Sequence, residues 1–395
     1  MINKAYKAML SNKSKIREFS EFATRRGKEI GYENVFDYSL GNPSVAVPAA
    51  FKQEMLRLMD TESDMALHGY SPTLGNELAR ERIAAHLSAR FGIPYEKKHI
   101  FMTSGAAGAI AHAVRCVTEP GDEVITFAPY FTEYNPYVNG SGAVLKVVDP
   151  DYEGFQINFD RFEALINEKT AAVLINTPNN PTGIMYSAET LTALADLLKA
   201  KQAKYGHEIF IISDEPYREI VFDGKTSPCV SAFYDNTIMC YSFSKSLSLP
   251  GERIGYVAVN PKAADADYLV PMCGQISRGT GHNCPASSIQ QAVSAILDTT
   301  SDLSVYETNM NLIYDRLVEL GLDVIRPDGT FYIFPKAPEA DSMSFCQKAM
   351  KYELILVPGD AFAAPSYFRM AYCIDTEKVE RSLDVISKFI KTEYR

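Results

Sequence analysis

Residues 241–256 read YSFSKSLSLPGERIGY, a Ser/Lys-rich turn that opens from one apolar run, TIMCYSF (237–243), and closes into another, IGYVAV (254–259). Both runs have the length and composition of buried strands. EVITF (123–127), AVLKVV (143–148), AAVLIN (171–176) and EIFIIS (208–213) repeat the pattern upstream. Between the last two, Leu191, Leu194, Ala195 and Leu198 recur at helical spacing, with Ser187 placed as N-cap. Strands that alternate with helices predict an α/β fold with a mostly parallel sheet covered on its faces. The turn holding Lys245 then lies at the carboxyl edge of that sheet, where ligands bind. Burial and nearby cations there lower an amine's pKa and let it attack a carbonyl. The ordinary fate of a lysine, taken alone, is a solvated surface charge.

The two ends of the chain follow another pattern. Residues 1–46 read as a helix and then an extended GNP turn, and residues 286–320 as one long helix leaving the sheet. TFYIFPK, LILVPGDAF and FRMAYC follow as short strands before a C-terminal helix from Thr376. The expected organisation is a large domain, 47–285, and a smaller α+β domain built from both termini, 1–46 and 286–395.

The 395 residues carry 39 Lys plus Arg against 49 Asp plus Glu, a net charge of −10. That acid excess counts against a nucleic-acid binder or a polybasic membrane-surface protein and leaves small ligands open. Seven cysteines without a CxxC pair read as scattered reduced thiols, so neither a disulfide framework nor a thiolate metal site is expected, and the expected compartment is the cytoplasm. The N-terminal stretch MINKAYKAMLSNKSKIREFSEF has no apolar signal core, and no apolar run approaches the roughly 18 residues of a membrane span.

Other segments carry chemistry-bearing residues, each with a plain structural alternative. ISDEPYREI (212–220) puts Asp214 at a strand end and Tyr217 three residues on, which alone fits a helix-start acid and a packed tyrosine. INTPNNPTG (175–183) would end any strand in a turn. FMTSGAAGAI (101–110) sets small residues at a helix start, where backbone N–H groups can hold an anion or simply pack closely. It is not a dinucleotide fingerprint, since no third glycine follows at the required spacing.

Taken in order, these segments resemble the motifs of fold-type I, pyridoxal-phosphate-dependent class I/II aminotransferases of the aspartate aminotransferase kind. The family pattern S-x-S-K, with an arginine eight residues after the lysine, matches Ser242, Ser244, Lys245 and Arg253. The resemblance implies a large domain with a seven-stranded, mostly parallel sheet between helices. It implies that Lys245 forms the internal aldimine with the cofactor, pyridoxal 5'-phosphate, and then moves the proton of the substrate α-carbon. Ser242, Ser244 and Arg253 would hold the phosphate, together with the backbone amides of Gly105, Ala106 and Ala107. Many relatives have a hydroxyl or amide side chain where this chain has alanine.

The resemblance further places Asp214 on the pyridine nitrogen, where a carboxylate keeps the ring an electron sink. Tyr217 would stand beside the ring oxygen, Asn180 of PNNPTG on that oxygen and the substrate carboxylate, and Phe131 of APYFTEY (128–134) on the ring face. Tyr130, Tyr134 and Tyr137 are read equally well as core or interface aromatics. Arg369 of SYFRMAYC (366–373) would clamp the α-carboxylate, aided by the backbone of Gly41 in LGNPS (40–44). Tyr70 of HGYSPTLGNELAR (68–80) would reach the phosphate of a partner subunit, which implies a homodimer with shared sites. Arg278 of QISRGTGHNCPA (275–286) sits five residues before Asn283, as does the arginine that reads a side-chain carboxylate in aspartate aminotransferases. The GTG after it departs from that subgroup, and a dimer-interface arginine is the alternative.

The implied activity is ping-pong transamination between an L-amino acid and a 2-oxo acid. The same motifs serve a pyridoxal-phosphate β-lyase or other carbanion chemistry, and a non-catalytic effector-binding domain is a remote third reading.

Overall fold

The computed structural model describes residues 14–395 and, ahead of them, Ile2, Lys4, Lys7 and Leu10. The rest of residues 1–13, on which part of the expected N-terminal helix falls, lies outside the described residues. The strands in chain order are β1 (Phe36–Asp37), β2 (Ile100–Thr103), β3 (Glu123–Phe127), β4 (Val144–Val148), β5 (Thr170–Asn176), β6 (Phe210–Asp214), β7 (Thr237–Ser242) and β8 (Gly255–Val259). They are followed by β9 (Tyr332–Ile333), β10 (Leu354–Ile355), β11 (Val357–Pro358) and β12 (Phe368–Ala371).

Strands β2 to β8 form one seven-stranded sheet in the order β2-β8-β7-β6-β5-β3-β4. Only β8 runs against its neighbours, pairing antiparallel with both β2 and β7. The sheet buries both faces, and its strands are therefore apolar throughout rather than alternating. Val173 and Ile175 pack on one side with Leu191, Leu194 and Leu198, while Ala172 and Leu174 pack on the other with Ala109, Ala113 and Val270.

The helix Ala188–Tyr205 shows how local sequence sets this layer. Ser187 Oγ accepts from Thr190 N–H at 3.1 Å, a cap that contributes about 1 kcal/mol. Leu191, Leu194 and Leu198 are buried under the sheet, each stabilising by about 2 kcal/mol. Gly206 at φ 75 then ends the helix in the left-handed region.

A second apolar cluster draws on both ends of the chain, from Phe19, Phe36 and Tyr38 to Tyr306, Phe345, Phe368 and Phe389. Here β1 pairs parallel with β10, and β12 lies antiparallel between β11 and β9. The expected single helix over 286–320 is two, Ser287–Ser294 and Ser304–Glu319. The break falls on Asp298-Thr-Thr-Ser-Asp302, whose side chains offer the backbone other partners. Ser304 N–H donates to Asp302 Oδ1 at 3.2 Å, and Ser301 N–H donates to the Ser246 carbonyl at 2.8 Å. The C-terminal helix spans Thr376–Tyr394 and starts where the sequence places it. Among the described residues, no helix is long and apolar enough to cross a membrane.

Candidate active site

Strands β5, β6 and β7 end at one edge of the sheet in Asn176, Asp214 and Ser242, and the helix Gly105–Val117 begins beside them. The cavity they open onto has a volume of about 290 Å³. Gly41, Ala106, Ala107, Phe131, Asn180, Asp214, Tyr217, Ser242, Ser244, Lys245, Arg253 and Arg369 all line it. Segments separated by more than three hundred residues thus converge on the edge at which open α/β sheets bind ligands.

The Lys245 ammonium is held in a short helix, Phe243–Ser246, directly after β7. Its Nζ donates to the Gly41 carbonyl at 2.7 Å and lies 5.2 Å from the centre of the Phe331 ring. Burial, with Arg253 and Arg369 adding to it, brings its pKa down to about 8. The amine is thereby closer to its nucleophilic form at neutral pH than a surface lysine.

Asp214 is pushed the other way. Burial raises its carboxyl to about 7, with Glu215 adding to the rise and the Tyr134 hydrogen bond opposing it. Tyr134 donates to Asp214 Oδ2 at 2.7 Å, whereas buried Oδ1 has no hydrogen-bond partner. An unmatched acceptor of this kind costs about 1–3 kcal/mol unless a donor meets it. Asn176 fixes the backbone around it, donating to the Asp214 carbonyl at 2.8 Å and accepting from Asn180 N–H at 2.7 Å.

The opposite end of the cavity is built to hold an anion. Gly105 sits at φ +78, and a Cβ there would lie 3.0 Å from Arg253 Nη2 and 3.5 Å from Ser242 Oγ. Ser242 and Ser244 hydroxyls are 2.7 Å apart. Arg253 is itself left-handed at φ 52, with Nη2 3.2 Å from the Ser104 carbonyl. The first N–H groups of the helix have no partners within it, and its dipole adds positive potential at this end.

Arg369, from β12, is 2% exposed, and among the described residues it forms no ion pair. Its Nη1 donates to Asn180 Oδ1 at 3.1 Å, its Nη2 donates to the Ser39 carbonyl, and its Nε has no partner. The guanidinium is sandwiched between the rings of Tyr332 (4.5 Å) and Phe362 (4.8 Å), contacts that stabilise a desolvated cation by about 0.5–2 kcal/mol each. Burial lowers its pKa. Tyr332 also meets the Tyr217 hydroxyl at 3.1 Å, and burial holds both phenols above their ordinary range. A side chain at Gly41 would overlap the Tyr332 hydroxyl.

Of the expected site residues, Gly105 does not line the cavity but packs beside it against Arg253 and Ser242, whereas two others lie away from it. Tyr70 and Arg278 are both exposed and line a second cavity together with His68, Asn283 and Cys284. Conversely, Asn176, Ser39 and Tyr332 take part in the site without having been singled out, and Tyr134, read equally as a core or interface aromatic, bonds Asp214. Asn176 carried a signal, a polar residue closing an apolar strand in register with Asp214. Tyr332 and Ser39 arrive through the packing of the chain's ends, which no local motif announces.

An aminotransferase from Eubacterium rectale solved by crystallography superposes with a TM-score of 0.97 at 41% identity, covering 100% of both chains. Aspartate aminotransferase from Thermotoga maritima is 30% identical over 91% of this chain and 92% of its own length. A probable N-acetyl-LL-diaminopimelate aminotransferase from Bacillus subtilis is 30% identical over 95% and 93%. The family described as "Aminotransferase class I and II" matches residues 33–386. The chain therefore belongs to the class I and II aminotransferases and is a pyridoxal-phosphate-dependent transaminase of fold type I.

Proposed function

We propose that the cavity at the carboxyl ends of β5, β6 and β7 is the transamination site, with each lining residue in the role its chemistry suits. The observation that carries this reading is the pairing of Lys245, its amine brought to about 8, with Asp214, whose buried Oδ1 lacks a donor. Pyridoxal phosphate fits these residues: a protonated ring nitrogen matches Asp214 Oδ1, and a phosphate matches the cradle at Gly105. When bound, it supplies the carbonyl that takes the substrate's amine and a ring that accepts the electron pair released at the α-carbon.

The remaining roles belong to the chain. Lys245 Nζ takes the proton from the α-carbon and returns it, as general base and then acid. Ser242, Ser244, Arg253 and the amides of Gly105, Ala106 and Ala107 hold the phosphate. Asn180 and Tyr217 orient the ring oxygen, and Phe131 covers a ring face. Arg369 binds the α-carboxylate of both amino acid and 2-oxo acid, which accounts for its free Nε, and the Gly41 backbone assists.

The exposed pair Tyr70 and Arg278 supports a homodimer in which each copy completes the other's site, Tyr70 at the phosphate and Arg278 at a substrate side-chain carboxylate. The organisation proposed is a large domain, 47–285, and a small one from 1–46 and 286–395. The location proposed is cytoplasmic, supported by seven cysteines that are all unpaired.

The test is direct. Borohydride treatment of the holoenzyme should fix the cofactor on Lys245, and aspartate or glutamate with a 2-oxo acid should give the matched pair of products without ammonia. Cofactor fixed on another lysine, or ammonia and pyruvate released without consumption of the acceptor, overturns the assignment.

A further inference from the structure

Arg218 belongs to the turn that bears Asp214 and Tyr217 but lines a separate small space of about 20 Å³. Its side chain is 2% exposed and pairs with Glu215, 1% exposed, at 2.9 Å. Glu215 accepts from Ser213 Oγ at 2.7 Å and donates its backbone N–H to the Cys240 carbonyl on β7 at 2.9 Å. The same guanidinium lies 4.5 Å over the ring of Tyr241, the residue before Ser242. The Tyr241 hydroxyl is 2.9 Å from Ser246 Oγ, the residue after Lys245, and donates to Glu219 at 2.8 Å. Glu219 is balanced by Arg90 at 3.0 Å. His86, paired at 3.2 Å with Asp298, lines the same space.

One desolvated cation therefore touches both segments on which the site depends. A buried ion pair gives little stability beyond an apolar replacement of the same shape. What this one adds is direction: the planar guanidinium, held on Glu215 Oε2 and stacked over Tyr241, favours one relative placement of the two segments. We infer that Arg218 is a positioning residue that, with Glu215, fixes the Asp214–Tyr217 turn against the Ser242–Ser246 segment, and so sets the Lys245 amine relative to the Asp214 carboxylate. The inference rests on the reading that these two groups serve opposite parts of the bound cofactor.

The decisive comparison is between wild-type holoenzyme and the charge-free pair Glu215→Gln/Arg218→Met, with Arg218→Lys as the conservative variant. The readouts are melting temperature, kcat, KM for the 2-oxo acid, and the pH midpoint at which the absorbance of the bound cofactor changes. The expected result for the double variant is a kcat at least about tenfold lower, with KM little changed, and an absorbance midpoint moved by at least about half a pH unit. Arg218→Lys, which keeps the charge without the planar fork, should show both effects in smaller measure. Unchanged kcat and midpoint in the double variant, with or without a lower melting temperature, overturn the inference, because the pair is then structural only. If the double variant fails to fold, the same two readouts on Arg218→Lys decide in the same way. A wild-type enzyme that binds no pyridoxal phosphate at Lys245 sinks the parent reading before any variant is compared.

Discussion

The Tyr134 hydroxyl donates to Asp214 Oδ2 at 2.7 Å and leaves Oδ1 as that carboxylate's one unmatched acceptor. The bond favours the ionised acid against the burial that pushes it to about 7. Tyr134→Phe removes the donor and lets the carboxyl rise further. Loss of a hydrogen bond to a charged group is expected to weaken cofactor binding by about 1.5–3 kcal/mol and to move the acidic limb of the pH–rate profile upward. Fluorescence titration with pyridoxal phosphate and a kcat/KM profile check both; an unmoved limb contradicts the role given to Tyr134.

Removing the cofactor exposes the cost of the buried amine. The folded pKa of Lys245, about 8, lies below the ordinary lysine value of 10.5, so the unfolded chain binds more protons between those values and stability rises with pH across them. Well below pH 8 the full penalty applies, roughly 3 kcal/mol by this shift. Lys245→Met should therefore stabilise the cofactor-free protein at pH 7 by up to that amount, less the lost bond to Gly41. Urea denaturation at pH 7 and pH 10 should find the gain at the lower pH and most of it gone at the higher.

Arg369→Lys tests planar recognition. The guanidinium stacks between Tyr332 and Phe362, which an ammonium cannot reproduce. Loss of a bidentate clamp predicts KM values raised about 10- to 100-fold for amino acid and 2-oxo acid alike. A rise confined to one of the two substrates argues against Arg369 as the α-carboxylate site.

Gly41→Ala should be rescued from the other side of the contact. The added methyl collides with the Tyr332 hydroxyl, displacing the carbonyl that accepts from Lys245. Activity should fall about tenfold or more, and Tyr332→Phe in the same chain should restore part of it, a non-additivity of about 0.5–3 kcal/mol. Strictly additive losses would place the effect elsewhere.

The proposed sharing of sites between subunits predicts complementation. Lys245→Ala and Tyr70→Ala homodimers should each be nearly inactive, while mixed dimers carry one site free of both changes. Subunit exchange should recover up to about half of wild-type activity per hybrid dimer; no recovery after exchange is confirmed removes Tyr70 from the partner's site.

Much of this site was legible because each motif is local. Asp214, Asn180 and Lys245 stand where an apolar run stops and turn chemistry begins, so strand ends could be found from composition alone. Tyr332 could not be, since its place opposite Tyr217 depends on β9 packing into a core that gathers residues from Phe19 to Ile390. Tyr134 looked like any buried aromatic until Asp214 came within reach. The helix over 286–320 failed for a local reason, the Asp/Ser/Thr run at 298–302 that ties the chain back to Ser246 instead of continuing the turn.

The reversed direction of β8 has a consequence for how the site can vary. Because β7 and β8 are antiparallel, the connection between them never leaves the carboxyl edge, and Lys245 and Arg253 are delivered by a single excursion of the chain. A parallel β8 would need a crossover of about a dozen residues and would begin at the far edge, roughly 17 Å away for a strand of this length. Lys245 and Arg253 are thus one inherited unit: an insertion between them changes their mutual spacing, whereas an insertion in any helical crossover leaves that spacing untouched.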